Sequence, residues 1–128
     1  MIEAPAAPRD HWPAIQIALQ FVVQCRGSLI SMRWVAIFQD EPAMLAIRQE
    51  HSAQHFDYLR RHEQEILIAG GLREAPGSDF VGGLWVLEVA TRERAVALIE
   101  GDPYFIPAYR SYRLFAWGKA FADKSVVL

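Results

Sequence analysis

Four short apolar runs punctuate the chain beyond residue 32. A stretch without Gly or Pro lies between the first and the second (residues 43–65) and another between the third and the fourth (residues 91–100). Residues 33–39 (RWVAIFQ) are bulky, β-branched and aromatic, the composition of a strand. Asp40-Glu41-Pro42 follows, two acids and a proline placed as a helix start. From residue 43 to about residue 65 helix formers dominate, which predicts one long helix with Leu45, Ser52, Phe56 and Leu59 on a single face. Residues 66–69 (ILIA) predict a second strand, ended by a turn at Gly70-Gly71. Residues 73–80, with Pro76, Gly77, Ser78 and Asp79, predict a loop, and residues 83–90 (GLWVLEVA) a third strand. Thr91 is placed to cap a helix reaching Glu100, with Glu93 suiting its first turn and Gly101 stopping it. Asp102-Pro103-Tyr104 predicts a turn, and residues 109–117 (YRSYRLFAW) a fourth strand.

The order β-α-β-β-α-β, joined by right-handed crossovers, predicts an α+β chain with the split βαβ, ferredoxin-like arrangement. An open sheet with helices on one side should alternate apolar and polar residues. Strand three does not, since Leu84 and Val86 lie on one face and Trp85, Leu87 and Val89 on the other. Strand one likewise sets Trp34, Ala36 and Phe38 opposite Val35 and Ile37. Two helices cover one face, so the other asks for a cover. A second copy in a twofold homodimer is the simplest, and the N-terminal segment folding back is the competing explanation.

Composition narrows the class. The 128 residues are 52% hydrophobic and 22% charged with a formal net charge of −2, an ordinary globular balance sufficient for one core. Basic residues are scattered, so the footprint of a nucleic-acid binder is missing. No apolar run approaches the roughly 20 residues needed to cross a bilayer. Cys25 is the sole cysteine, so no intrachain disulfide forms, and a reducing cytoplasm is the default expectation. Residues 1–8 are rich in Ala and Pro, and residues 14–23 are largely apolar with Gln16, Gln20 and Gln24 along one stripe. Glu3 and Asp10 offset Arg9 and no A-x-A site follows Val23, which disfavours a signal peptide. Residues 1–31 are therefore expected to be an N-terminal extension, accessory or poorly ordered, residues 32–121 the domain, and residues 122–128 a C-terminal tail.

Candidate chemistry lies on the long helix, whose core stripe brings in Arg48 and His55 where aliphatic residues would be usual. Buried without partners, such groups cost about 1–3 kcal/mol, so each is paired or faces a polar cavity. A histidine satisfied by a backbone carbonyl at the core's edge is the plain alternative. His51 stands four residues before His55, a spacing that lets both approach one metal ion, but HSAQH is not HExxH and no third ligand lies nearby in sequence. Asp102 shapes a turn, and the topology allows its loop to reach the first helix, where carboxylate and imidazole could transfer protons together. Arg110 and Arg113 point to opposite faces of strand four, each suited to a salt bridge, a solvated edge or an anionic substrate.

Several segments together resemble the YCII-related family: MRWVAIFQD, RQEHSAQHFDYL from Arg48 to Leu59, ILIAGGL, VGGLWVLEV, DPY at residues 102–104, and WGKAF. The resemblance implies a ferredoxin-like fold dimerised through its sheets into an α+β barrel akin to muconolactone isomerase. It also implies a site in which His55 and Asp102 act as acid/base partners, with Arg48 and Tyr104 toward a small-molecule substrate and with no cofactor; His51, an added imidazole outside the family pattern, is a further candidate for binding substrate. The sequence departs from the family's AGP turn with AGG, placing Gly71 where proline is common. Relatives are connected with degradation of aromatic compounds, including elimination of chloride from hydroxylated aromatics, and others accompany alternative sigma factors. Three functions follow as expectations. The first is an acid/base enzyme performing elimination or isomerisation. The others are a non-catalytic ligand-binding or regulatory module, and a metal-dependent enzyme using His51, His55 and Asp102.

Overall fold

The computed structural model describes residues 31–127, so the expected extension lies outside the described residues but for Ser31. Six elements follow one another: β1 (Met32–Asp40), α1 (Met44–Arg61), β2 (Ile66–Arg73), β3 (Phe80–Val89), α2 (Arg92–Glu100) and β4 (Arg110–Ala116). The strands form one sheet in the order β2-β3-β1-β4, every neighbouring pair antiparallel. This is the α+β, ferredoxin-like βαββαβ arrangement expected from the sequence.

Register divides the sheet's side chains into two sets. Trp34, Ala36 and Phe38 of β1 stand opposite Leu87, Trp85 and Gly83 of β3 and Ala116, Leu114 and Tyr112 of β4. On this face Ala36, Phe38, Trp85, Leu87 and Leu114 join Tyr58 of α1 and Ala95, Leu98 and Ile99 of α2 in the core. The Tyr58 hydroxyl donates to the Leu98 carbonyl at 2.7 Å and ties the helices together. The opposite face carries Val35, Ile37, Leu84, Val86 and Phe115, of which Ile37 and Phe115 are exposed and Val86 is buried. No helix among the described residues is long and apolar enough to cross a membrane.

Local chemistry accounts for most of the boundaries. Thr91 caps α2 by accepting from the Arg94 N–H at 3.1 Å, and Glu93 sits in the first turn. Four details differ from the sequence expectation. Helix α1 ends at Arg61, because His62 then accepts from the N–H groups of Glu65 and Ile66 and turns the chain into β2. Gly70-Gly71 makes no turn but lies within β2, which continues to Arg73. A Cβ on Gly71 would come within 2.4 Å of the Phe80 ring, so the missing side chain lets that ring lie against the strand. Phe56, expected in the core, is 62% exposed, while Tyr58 is buried in its stead. The backbone of α1 leaves helical geometry at His51 (φ −119°, ψ 17°), so one uninterrupted 3.6-residue period does not describe it.

Candidate active site

Between α1, β2, β3 and the turn after α2 lies an open cleft of about 840 Å³. Helix α1 contributes Arg48, His55 and Phe56, β2 its glycine pair, β3 Phe80 and Trp85, and the turn Tyr104. Here the structure brings together residues that stand 47 positions apart: His55 Nδ1 lies 2.7 Å from Asp102 Oδ1, and both side chains are buried. The split βαβ topology accomplishes this by setting both helices on one face, so that the turn leaving α2 meets the middle of α1.

The turn itself is held by the same carboxylate. Asp102 Oδ1 accepts from the Tyr104 N–H at 3.1 Å, and the Asp102 carbonyl accepts from Phe105 N–H at 2.8 Å. Asp102 thus shapes the turn, as its position before proline suggests, and orients an imidazole as well. Its second oxygen, Oδ2, is buried with no hydrogen-bond partner among the described residues. With the Asp102 carboxylate accepting, Nδ1 is the protonated ring nitrogen, which leaves the lone pair on Nε2. Nε2 has no partner among the described residues, and the ring lines the cleft.

Tyr104 lies parallel to the imidazole, with centroids 3.7 Å apart and planes 8° apart. Its hydroxyl donates to the Arg48 carbonyl at 3.3 Å. Burial holds this phenol above its ordinary range and Asp102 adds to the effect, while Arg48 opposes it. Tyr104 therefore meets the cleft as a neutral ring, its one polar atom already engaged by the backbone. The expected role in binding substrate narrows to that ring face.

Arg48 reaches the cleft from the same helix. Its Nη2 donates to Gly82 O at 2.9 Å and to Asp40 Oδ2 at 3.2 Å, and its guanidinium lies 4.3 Å from the Phe80 ring centre. Asp40 is also gripped by Arg110, through Nε at 2.7 Å and Nη2 at 3.0 Å. Sequence reasoning missed this partner and assigned Asp40 to a helix start. The clue lay in the topology, which pairs the end of β1 with the beginning of β4 and sets Asp40 opposite Arg110. Arg113 points to the other face, its guanidinium 4.9 Å from the Phe115 ring centre.

His51 does not join the site. Its side chain is 42% exposed, its nearest ion-pair neighbour is Glu50 at 3.9 Å, and it is absent from the cleft wall. The break in α1 at His51 removes the uninterrupted i, i+4 geometry on which its pairing with His55 relied. Among the described residues no three His, Cys, Asp or Glu side chains converge on a point where one ion could be held. The ligand set His51, His55 and Asp102 is therefore not assembled.

No curated protein sequence matches the chain. Among solved structures it is similar to the 5-chloro-2-hydroxyhydroquinone dehydrochlorinase of Burkholderia phenoliruptrix in complex with 2,5-dihydroxybenzoquinone, with a TM-score of 0.60 and 22% identity. That likeness covers 68% of this chain and 94% of the other, and at this identity it establishes the fold. The model of the YCII-related domain matches residues 32–118, the span that carries the whole sheet, both helices and the His55–Asp102 pair, and the chain belongs to that family.

Proposed function

We propose that the protein is an acid/base enzyme acting on a small aromatic or organic-acid substrate by elimination or isomerisation. One observation carries the proposal: a buried histidine bonded through Nδ1 to a buried carboxylate, with its ring in the wall of an open cleft. Asp102 fixes the tautomer and stabilises the imidazolium that forms when Nε2 accepts a proton. The proton comes from an acidic O–H or C–H of the substrate. In an elimination the electron pair left behind expels a leaving group, such as the halide that a dehydrochlorinase releases, and the proton stays on Nε2 until solvent removes it. In an isomerisation His55 returns the proton at a different atom. Both routes balance without an oxidant or reductant.

The experiment is a screen of the full chain against chlorinated hydroxyhydroquinones and small aromatic acids, followed by halide release and ultraviolet absorbance. His55→Ala and Asp102→Asn should each lower kcat by about 10²–10⁴. Full activity in His55→Ala overturns the proposal. Thermal stabilisation by a compound that is never turned over would instead support the non-catalytic, ligand-sensing alternative.

We infer that a second copy of the chain covers the open face of the sheet. Ile37, Ile68, Leu72 and Phe115 are exposed large apolar side chains, and strand register puts them on that one face. Charge there is confined to the Arg33–Glu88 ion pair and Arg113. Burying such a patch against its twofold copy is the common solution for a contiguous apolar surface. Light scattering at micromolar concentration should give twice the chain mass, and a monomer would refute this assembly.

A further inference from the structure

The cleft holds a second polar group that the His55–Asp102 pair does not use. Asp40 accepts two hydrogen bonds from Arg110 and one from Arg48. Guanidinium groups stay protonated at all accessible pH. Two of them therefore share one carboxylate, leaving one positive charge in excess among side chains exposed by 14% (Arg48), 3% (Arg110) and 1% (Asp40). Arg48 Nε is buried with no partner, and neither arginine's Nη1 has a partner among the described residues. Both arginines line the cleft. Beside them the wall is Gly83, where an added Cβ would lie 3.9 Å from Arg110 Nη2.

The charge count of the whole site takes this further. The groups packed around the cleft are Asp40 from β1, Arg48 and His55 from α1, Asp102 from the turn and Arg110 from β4. Asp79 and Arg73, at the loop end of the hairpin, are exposed to water and opposite in sign. With His55 neutral, the buried charges cancel. A bound monoanion then leaves the site one negative charge in excess, unless His55 takes up a proton. Tyr104 keeps the groups close, with the imidazole stacked at 3.7 Å and the Arg48 and Arg110 Cζ atoms 5.3 and 5.7 Å from its ring centre.

We propose that the Arg48–Arg110 end of the cleft seats one negative charge, a carboxylate or phenolate oxygen, and that seating it draws a proton onto His55 Nε2. When the ligand arrives as the neutral acid the proton is its own, which is the base step proposed above; when it arrives as an anion the proton comes from solvent and His55 then serves as the acid. The coupling rests on the acid/base reading of His55 and specifies its substrate class as monoanionic; the anion seat stands without that reading.

Isothermal titration of the full chain with benzoate, and with benzamide as its uncharged counterpart, in two buffers of different ionisation enthalpy tests both halves. Benzoate should bind about tenfold tighter than benzamide or better. Its binding should take up as much as about one proton per site, seen as buffer-dependent heat and as affinity that rises when pH falls. Arg48→Gln should weaken benzoate about tenfold while leaving benzamide unchanged, with a thermal melt to show that the variant is folded. His55→Gln should still bind benzoate, with heats independent of buffer. Absence of benzoate binding, equal binding of the two probes, or an unaltered affinity in Arg48→Gln overturns the anion seat. Buffer-independent heats in the wild type, or undiminished proton uptake in His55→Gln, overturn the coupling. Turnover enters none of these readouts. An inactive chain that binds benzoate selectively fails the enzyme proposal and keeps this one.

Discussion

Two arginine–carboxylate pairs in this domain share one geometry and differ in setting. Arg94 grips Glu65 through Nε at 2.8 Å and Nη2 at 2.7 Å. Arg110 grips Asp40 through the same two nitrogens at 2.7 and 3.0 Å. The first pair stands in water, with side chains 46% and 31% exposed; the second is sealed, at 3% and 1%. Hydrogen-bond geometry therefore cannot set their energetic weight, and solvent does. An exposed pair exchanges good water contacts for good protein contacts and nets little. A buried pair gives up solvation that a well-packed apolar pair would not have to give up, and removing one member strands the other. A chain selected for stability alone would have little reason to keep Asp40 and Arg110 as ions, whereas a cleft that must present positive charge has one.

The largest expected effect comes from breaking the buried pair on one side. Arg110→Ala leaves Asp40 with a single hydrogen bond from Arg48 and should destabilise the fold by about 3–5 kcal/mol, measured by urea unfolding. The double variant Asp40→Leu with Arg110→Met, which removes both charges while conserving volume, should recover most of that loss, and because Arg48 still carries one positive charge it should go on binding benzoate better than benzamide. If Arg110→Ala costs under about 1 kcal/mol, the buried pair belongs with the surface one and the contrast dissolves.

An intermediate case lies between the two pairs. Tyr104 makes an uncharged hydrogen bond in the same cleft, from its hydroxyl to the Arg48 carbonyl. Tyr104→Phe keeps the ring stacked on His55 and should cost about 1 kcal/mol. Tyr104→Leu removes the stack too and should cost about 0.5–1.5 kcal/mol more, beyond the change in buried area. A pH–rate profile displaced in the leucine variant and unchanged in the phenylalanine variant would assign the ring, not the hydroxyl, to positioning the imidazole. Equal profiles in both would make Tyr104 a packing residue alone.

The same contrast explains what could be seen in the sequence. The strands and α2 rest on local signals, such as the aromatic and β-branched run before Asp40 or the Thr91 cap, and those signals survive folding. His55 and Arg48 were visible because a polar residue on an apolar stripe demands a partner. That His55's partner is Asp102 followed from topology and family pattern, not from spacing. Asp40 misled because an acid before proline is also a good helix opener, and nothing local distinguishes that role from an ion pair with a residue 70 positions away. Gly70-Gly71 misled likewise. Its reason is the Phe80 ring, which reaches Gly71 across the hairpin. Phe56 faces outward and Tyr58 inward because the buried stripe of α1 runs through Met44, His55 and Tyr58, a face rotated from the one read along the sequence.

The smallest expected effect closes the comparison from the surface side. Arg94→Ala should cost only about 0.2–1 kcal/mol, and less in high salt, where exposed charges are screened. Its pH dependence carries a definite sign. The hydrogen bonds from Arg94 hold the Glu65 carboxyl below its ordinary value of 4.5, with burial opposing. A depressed carboxylate contributes stability that is fully present above the unfolded value and is lost as pH falls through the lower folded value. Arg94, held above its own ordinary value by the same bond, stays charged throughout and adds no titration in that window. The wild type and Arg94→Ala should therefore differ by a small constant amount from neutral pH down to about pH 5, and converge as the medium is acidified further. Urea midpoints for Arg94→Ala followed from pH 7 to pH 3 check this behaviour, and a difference that widens with acid would overturn it.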